Sequence, residues 1–131
     1  MPIKIRLEPG IEGRKEIVVK AENLATAFGS GTVEVFATPA MIALMEQTAM
    51  ESVSAYLPSG LVSVGTEVSV KHFRATLPGK TVVCLSKLLS VDDKKLVFEV
   101  VANDEKGTIG KGIHTRYIVD KQLFIYNLQD K

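Results

Sequence analysis

The chain of 131 residues holds one cysteine, no tryptophan and no uninterrupted apolar run longer than AMIALM, Ala40 to Met45. Each shortage excludes something. A single thiol, Cys84, can close no internal disulfide and build no thiolate cluster for zinc. It carries no local signature of a nucleophile and reads as a small strand residue in a chain suited to a reducing compartment. The apolar run falls far short of the ~20 residues that a membrane helix needs. The opening MPIKIRLEPG mixes charges with apolar residues, unlike a secretory leader. Excess charge of either sign is also missing: Lys+Arg 16 against Asp+Glu 15 leaves a net charge of +1. A nucleic-acid partner gripped by a strong positive field is therefore not expected, nor is an acidic disordered chain. No GxGxxG, P-loop, HExxH or GxSxG occurs. What these absences leave is a soluble, cytoplasmic protein of one domain, residues 1–131, with no nucleic-acid or membrane partner.

What is present is enough apolar sequence for a core, 46% of the residues, and a chain of this length buries roughly two-thirds of its unfolded surface. RKEIVVK, Arg14 to Lys20, reads as a first strand, and Ala21 to Phe28 as a short helical turn before the flexible Gly29-Ser30-Gly31. Thr38-Pro39 is a helix start, with threonine as the N-cap and proline in the first turn. The helix is expected from Pro39 to about Tyr56, where Leu57-Pro58-Ser59-Gly60 stops it. Its AMIALM turns are apolar all round, which predicts burial on most sides. Beyond Gly60 the period changes to two. Turns at Leu77-Pro78-Gly79, Asp92 to Lys95 and Asn103 to Gly107 divide four strands, and KQLFIYNLQDK closes the chain as a short segment suited to pack on the body or on a partner. One strand, one buried helix and an antiparallel meander predict an α+β domain with the sheet curled around the helix. Pairing two such sheets edge to edge, as a dimer, is one way to cover the exposed edges.

Three residues are candidates for chemistry. Glu46 follows AMIALM directly, so its carboxylate is either paired or facing a cavity, or turns out to solvent as the helix becomes amphipathic. His72 shares a strand face with Val62, Val64, Val68 and Val70, toward the helix, at a strand end where a cleft can open. Thr38, besides capping the helix, sits beside free helix N–H groups that suit a developing oxyanion. Eight residues separate Thr38 from Glu46, ~12 Å along the axis, so the two cannot touch through the backbone but can line one groove. The same alternation puts Gly65 on the face opposite His72. It also puts His114 and Arg116 opposite Ile109, Ile113 and Tyr117, as a solvent-facing pair that a bulge at Gly110 or Gly112 would re-aim.

VEVFATPAMIALMEQTA, LVSVGTEVSVKHFRATLPG and IGKGIHTRYIV together resemble the fluoroacetyl-CoA thioesterase-like branch of the hotdog-fold thioesterases, over roughly Val33 to Val119. The resemblance implies a hotdog fold: a long central helix wrapped by a curled antiparallel sheet of about five strands, in a homodimer whose two sheets join. It implies hydrolysis of a short acyl-CoA by Thr38, Glu46 and His72, with Gly65 and Arg116 near the acyl group. Phe36 is the ring placed beside that threonine. Before the helix, where the fluoroacetate-specific member has an aromatic-rich lid, this chain has GSGTVEV. No metal or cofactor is implied, coenzyme A entering as part of the substrate, its phosphates within reach of cations such as Lys71, Arg74 or Lys80. Thr38, Glu46 and His72 are expected to line one cleft, within a chain or completed by a second subunit. Two other classes use the same residue types: a hotdog hydratase or dehydratase acting on acyl-thioesters, and a non-catalytic binder of acyl-CoA or a small acid. Release of free thiol from acyl-CoA separates a hydrolase from both.

Overall fold

The structure is a computed structural model that describes residues 6–130; residues 1–5, part of the opening stretch read above, and Lys131 lie outside it. The strands are β1 (Glu12–Val18), β2 (Leu61–His72), β3 (Thr81–Asp92), β4 (Lys95–Asp104) and β5 (Gly107–Asp120). They form one antiparallel sheet in the order β1-β3-β4-β5-β2. The helices are α1 (Ala25–Phe28), α2 (Thr38–Ser54) and α3 (Lys121–Leu128), with a 3-10 turn at Ala21–Asn23. The first strand begins two residues before the Arg14 read from sequence, and α2 ends at Ser54 rather than Tyr56. Among the described residues no helix is long and apolar enough to cross a membrane.

The core is the interface between α2 and the concave face of the sheet. Met41, Leu44, Met45, Ala49 and Val53 from the helix meet Val82, Cys84 and Leu88 of β3 and Leu96, Phe98, Val100 and Ala102 of β4, all with at most 2% exposure. The period-two burial of β3 and β4 is the sequence alternation made visible. Each large apolar side chain removed from water there contributes about 1.5–3 kcal/mol. Gly110 lets the helix come close: a β-carbon on it would sit 2.5 Å from the sulfur of Met41.

One face of α2 stays uncovered. Ile42 is only half-buried, Ala43, Gln47 and Met50 are exposed, and Glu46 lies between them. AMIALM is therefore buried on most sides, as its composition predicts, with Ile42 and Ala43 at the open face. The open face looks toward β2, a twelve-residue edge strand with no neighbour on its outer side among the described residues. α3 is the closing segment read from sequence as packing on the body or on a partner. None of its side chains is buried, with Leu123, Ile125, Tyr126 and Leu128 each at least half exposed, so it does not pack into the body of the chain.

A candidate active site in two halves

The first half sits where α2 begins. Ala37, not Thr38, takes the N-cap position, with extended backbone (φ −73°, ψ 142°) and no side-chain cap bond. The Thr38 hydroxyl is thereby released from capping, and its Oγ1 lies 2.8 Å from Nδ1 of His72, the last residue of β2. Phe36, 1% exposed, sets its ring edge-on to the imidazole with centroids 6.2 Å apart. His72 Nε2 is shielded from solvent and has no hydrogen-bond partner among the described residues. Burial pushes the His72 pKa below its ordinary value, opposed by the Arg74 backbone, so the ring is neutral at pH 7. Thr38, Pro39, His72 and Phe73 line a cleft of about 360 Å³ with Phe36 in its wall. The first-turn N–H groups of α2 lack intrahelical partners and face this end.

The second half lies two turns along α2. Glu46 Oε2 is 3.7 Å from Arg116 Nη1 and 3.9 Å from His114 Nε2. Gly65 forms the floor; a β-carbon there would stand 2.5 Å from Glu46 Oε2. Arg116 and His114 are 5% and 1% exposed, whereas Ile113 and Tyr117 are 40% and 38% exposed. The solvent-facing reading of His114 and Arg116 is thus reversed. The parity count was misled by a bulge in β5: register with β4 shifts at Ala102/Asn103, and the extra residue is Ile109, one place before Gly110. A second bulge, between Gly65 and Glu67 of β2, flips the alternation there, so Gly65 and His72 share the concave face despite their opposite parity.

Charge in this half is fixed by hydrogen bonds. His114 Nδ1 is 2.8 Å from the Glu67 carbonyl, which only accepts, so the proton is on Nδ1. Nε2 then accepts from Arg116 Nη1 at 3.1 Å. Arg116 Nε donates to Ser63 Oγ and Nη2 to the Ser63 carbonyl, both at 2.8 Å. Burial, first, and the Arg116 charge lower the His114 pKa, against the Glu67 carbonyl and Glu46. Sequence reading missed Ser63 and the role of His114; the glycine at 110 was a signal for the β5 bulge that turns His114 inward, whereas the β2 bulge leaves no pattern in the residues. Of the cations considered for CoA, Arg74 is paired with Asp104 at 2.8 Å and Lys80 with Glu105 at 3.8 Å, while Lys71 lies opposite Lys111.

Both histidines are held neutral in the fold, so the unfolded chain takes up their protons first. Stability is fully present above about pH 6.5 and falls as pH drops below that value. The melting temperature should decrease from pH 7 to pH 5, and by less in His114→Gln. An identical decrease in both proteins would remove His114 as a cause.

The structure brings Thr38 and His72 together and Gly65, Arg116 and Glu46 together, but it does not join the two groups within one chain. Residues 19–122 match the family model described as fluoroacetyl-CoA-specific thioesterase. The chain is 38% identical over 98 residues to the fluoroacetyl-CoA thioesterase of Streptantibioticus cattleyicolor, covering 75% of this chain and 70% of that protein. A solved structure of a fluoroacetyl-CoA thioesterase superposes with a TM-score of 0.87 at 30% identity, over 93% of this chain and 95% of that one. A thioesterase superfamily member from Thermus thermophilus superposes with a TM-score of 0.84 at 26% identity, over 92% and 89% of the two chains.

Proposed function

The chain belongs to the fluoroacetyl-CoA-specific thioesterase family, and from that membership we propose that its two half-sites act together across a homodimer. The protein is a hotdog-fold thioester hydrolase of a short acyl-CoA. The observation that carries the proposed site is the Thr38–His72 bond of 2.8 Å at the mouth of the cleft. It fixes the imidazole through Nδ1 and leaves Nε2 uncommitted. The N-terminus of α2 beside it suits the carbonyl oxygen of the thioester, where negative charge develops. Glu46 is the attacking group or the base that deprotonates a water. The new C–O bond forms at the carbonyl carbon as its π electrons move to oxygen. Collapse of that oxyanion breaks the C–S bond, and His72 manages the proton that the departing thiolate takes up; where Glu46 itself attacks, water then cleaves the acyl–Glu46 anhydride to the free acid and restores the carboxylate. Gly65, Arg116 and Phe36 surround the acyl group. The test is a panel of short and long acyl-CoAs with thiol detection: release should be fastest for the short ones, and binding without thiol release would contradict the reading.

Glu46 and the Thr38–His72 pair lie ~12 Å apart along α2, too far for one acyl carbon to bridge. The edge strand supplies the remedy. An antiparallel two-fold pairing of β2 with its copy, centred on Ser69, keeps like faces together beyond the bulge and puts Val68 opposite Val70 of the partner subunit. It lays the Gly65–Thr66 bulge, and with it Glu46, beside His72 of the partner subunit. It also sets Lys71 opposite Glu67 of the partner subunit, an attractive cross-strand pair formed twice. The uncovered face of α2 is buried by the same arrangement. Ser69→Cys should therefore cross-link into a dimer under mild oxidation or with a short bismaleimide, because each new thiol meets its own copy. Native Cys84, 0% exposed, is silent in this assay. A Ser69→Cys protein that stays monomeric on denaturing gels would contradict this register.

A further inference from the structure

The Arg116–Glu46 pair is longer than its components require. A guanidinium and a carboxylate left to themselves close to N···O distances of about 2.7–2.9 Å, usually through two parallel bonds. Here the nearest approach is 3.7 Å, and Glu46 accepts no hydrogen bond from any described side chain. The reason is on the other side of the guanidinium. Ser63 takes one N–H on its hydroxyl and another on its carbonyl, and His114 Nε2 takes a third from Nη1, the atom that faces Glu46. His114 can accept only because its Nδ1 proton is committed to the Glu67 carbonyl. That carbonyl adjoins the β2 bulge between Gly65 and Glu67. The ring plane also lies against Phe98, centroids 6.4 Å apart at 29°.

We infer that His114, with Ser63, is a positioning residue that holds the Arg116 guanidinium back from Glu46, so that the carboxylate feels the positive charge while its lone pairs stay free for reaction. The inference rests on the proposed role of Glu46 as attacking group or base. A carboxylate with two tight N–H bonds is a poorer nucleophile and base than one with none. Nη1 keeps a second N–H beyond the one given to His114, so position alone holds it off Glu46: without the His114 acceptor the guanidinium loses one of its three anchors, and a movement of only about 1 Å would close the pair to ordinary bonding distance. The bulge, the histidine tautomer and the arginine thus form one chain of contacts ending at the reacting oxygen.

A double-mutant cycle on kcat and KM for a short acyl-CoA tests it. His114→Leu should lower kcat about tenfold with KM within about twofold of wild type. His114→Gln, which can present an acceptor oxygen, should recover most of that loss. In an Arg116→Met background, where no guanidinium remains to be held, His114→Leu should change kcat by less than about twofold. Crystals of His114→Leu should show the Arg116–Glu46 spacing shortened into hydrogen-bonding range. Multiplicative losses in the double variant, full turnover by His114→Leu, or an unchanged spacing would each overturn the inference. If His114→Leu does not fold, Ser63→Ala carries the same cycle, with an expected loss of about threefold that vanishes in the Arg116→Met background. Glu46→Gln is run alongside. Full turnover there overturns both the catalytic reading and this inference, whereas a large loss there without coupling between His114 and Arg116 overturns this inference alone.

Discussion

Glu46→Gln should lower turnover of a short acyl-CoA by on the order of 10²-fold or more, the usual loss when a general base or nucleophile is removed. The substitution keeps size and shape and removes the charge. It leaves the α2 core untouched, because Glu46 lies on the uncovered face with its side chain 43% exposed. The nearest cation, Arg116, keeps its bonds to Ser63 and His114, so the fold should persist with melting unchanged within a few degrees. Thiol release at the wild-type rate would make Glu46 a structural carboxylate. The amide also bears on mechanism, since neither direct attack nor activation of water survives the loss of the carboxylate.

His72→Ala should cost a similar factor, again about 10²-fold. The ring makes one side-chain hydrogen bond among the described residues, to the Thr38 hydroxyl, and its Nε2 satisfies no structural partner there. Its removal therefore costs chemistry more than stability. Burial keeps the imidazole neutral to a lower pH than a free one, so the wild-type rate should hold as pH falls through 6.5 and decline only below it. Thr38→Ala should lower the rate and Thr38→Ser should not match that loss, because the serine hydroxyl still reaches Nδ1. Neither should lower the melting temperature much, since the Thr38 side chain caps nothing. A large drop in melting for Thr38→Ala with unaltered kcat would return the residue to a purely structural role.

Most of the fold was legible because its signals are local. AMIALM could only be a helix against a core, and the turns at Asp92 to Lys95 and Asn103 to Gly107 cut the meander into strands that the structure reproduces. Glu46 and His72 could be picked out for the same reason: a carboxylate after six apolar residues and a histidine at a strand end are anomalies of pattern. The concave face of β2 and β5 was not legible. Two bulges, one between Gly65 and Glu67 and one at Ile109, each shift the alternation by a residue. Simple parity then sent Gly65, His114 and Arg116 outward when all three face in. A bulge is decided by what packs above and beside the strand: Gly110 offered one in β5 without fixing it, and no residue at Gly65 to Glu67 announces the other. The cap of α2 was misassigned for a related reason. Threonine is a good N-cap in isolation, but here His72, distant in sequence, takes the hydroxyl and Ala37 takes the cap position.

The central claim, that Glu46 of one subunit works with Thr38 and His72 of the other, is tested most directly by mixing two inactive proteins. Glu46→Gln and His72→Ala are each purified, combined in equal amounts, unfolded and refolded together, and assayed for thiol release. About half the dimers are then mixed, and each mixed dimer holds one site with both substitutions and one with neither. The account predicts recovery of about a quarter of wild-type activity from two proteins that are nearly inactive alone. If the three residues instead worked within a single chain, every site would carry one substitution, and a refolded mixture no more active than its parents would contradict the account.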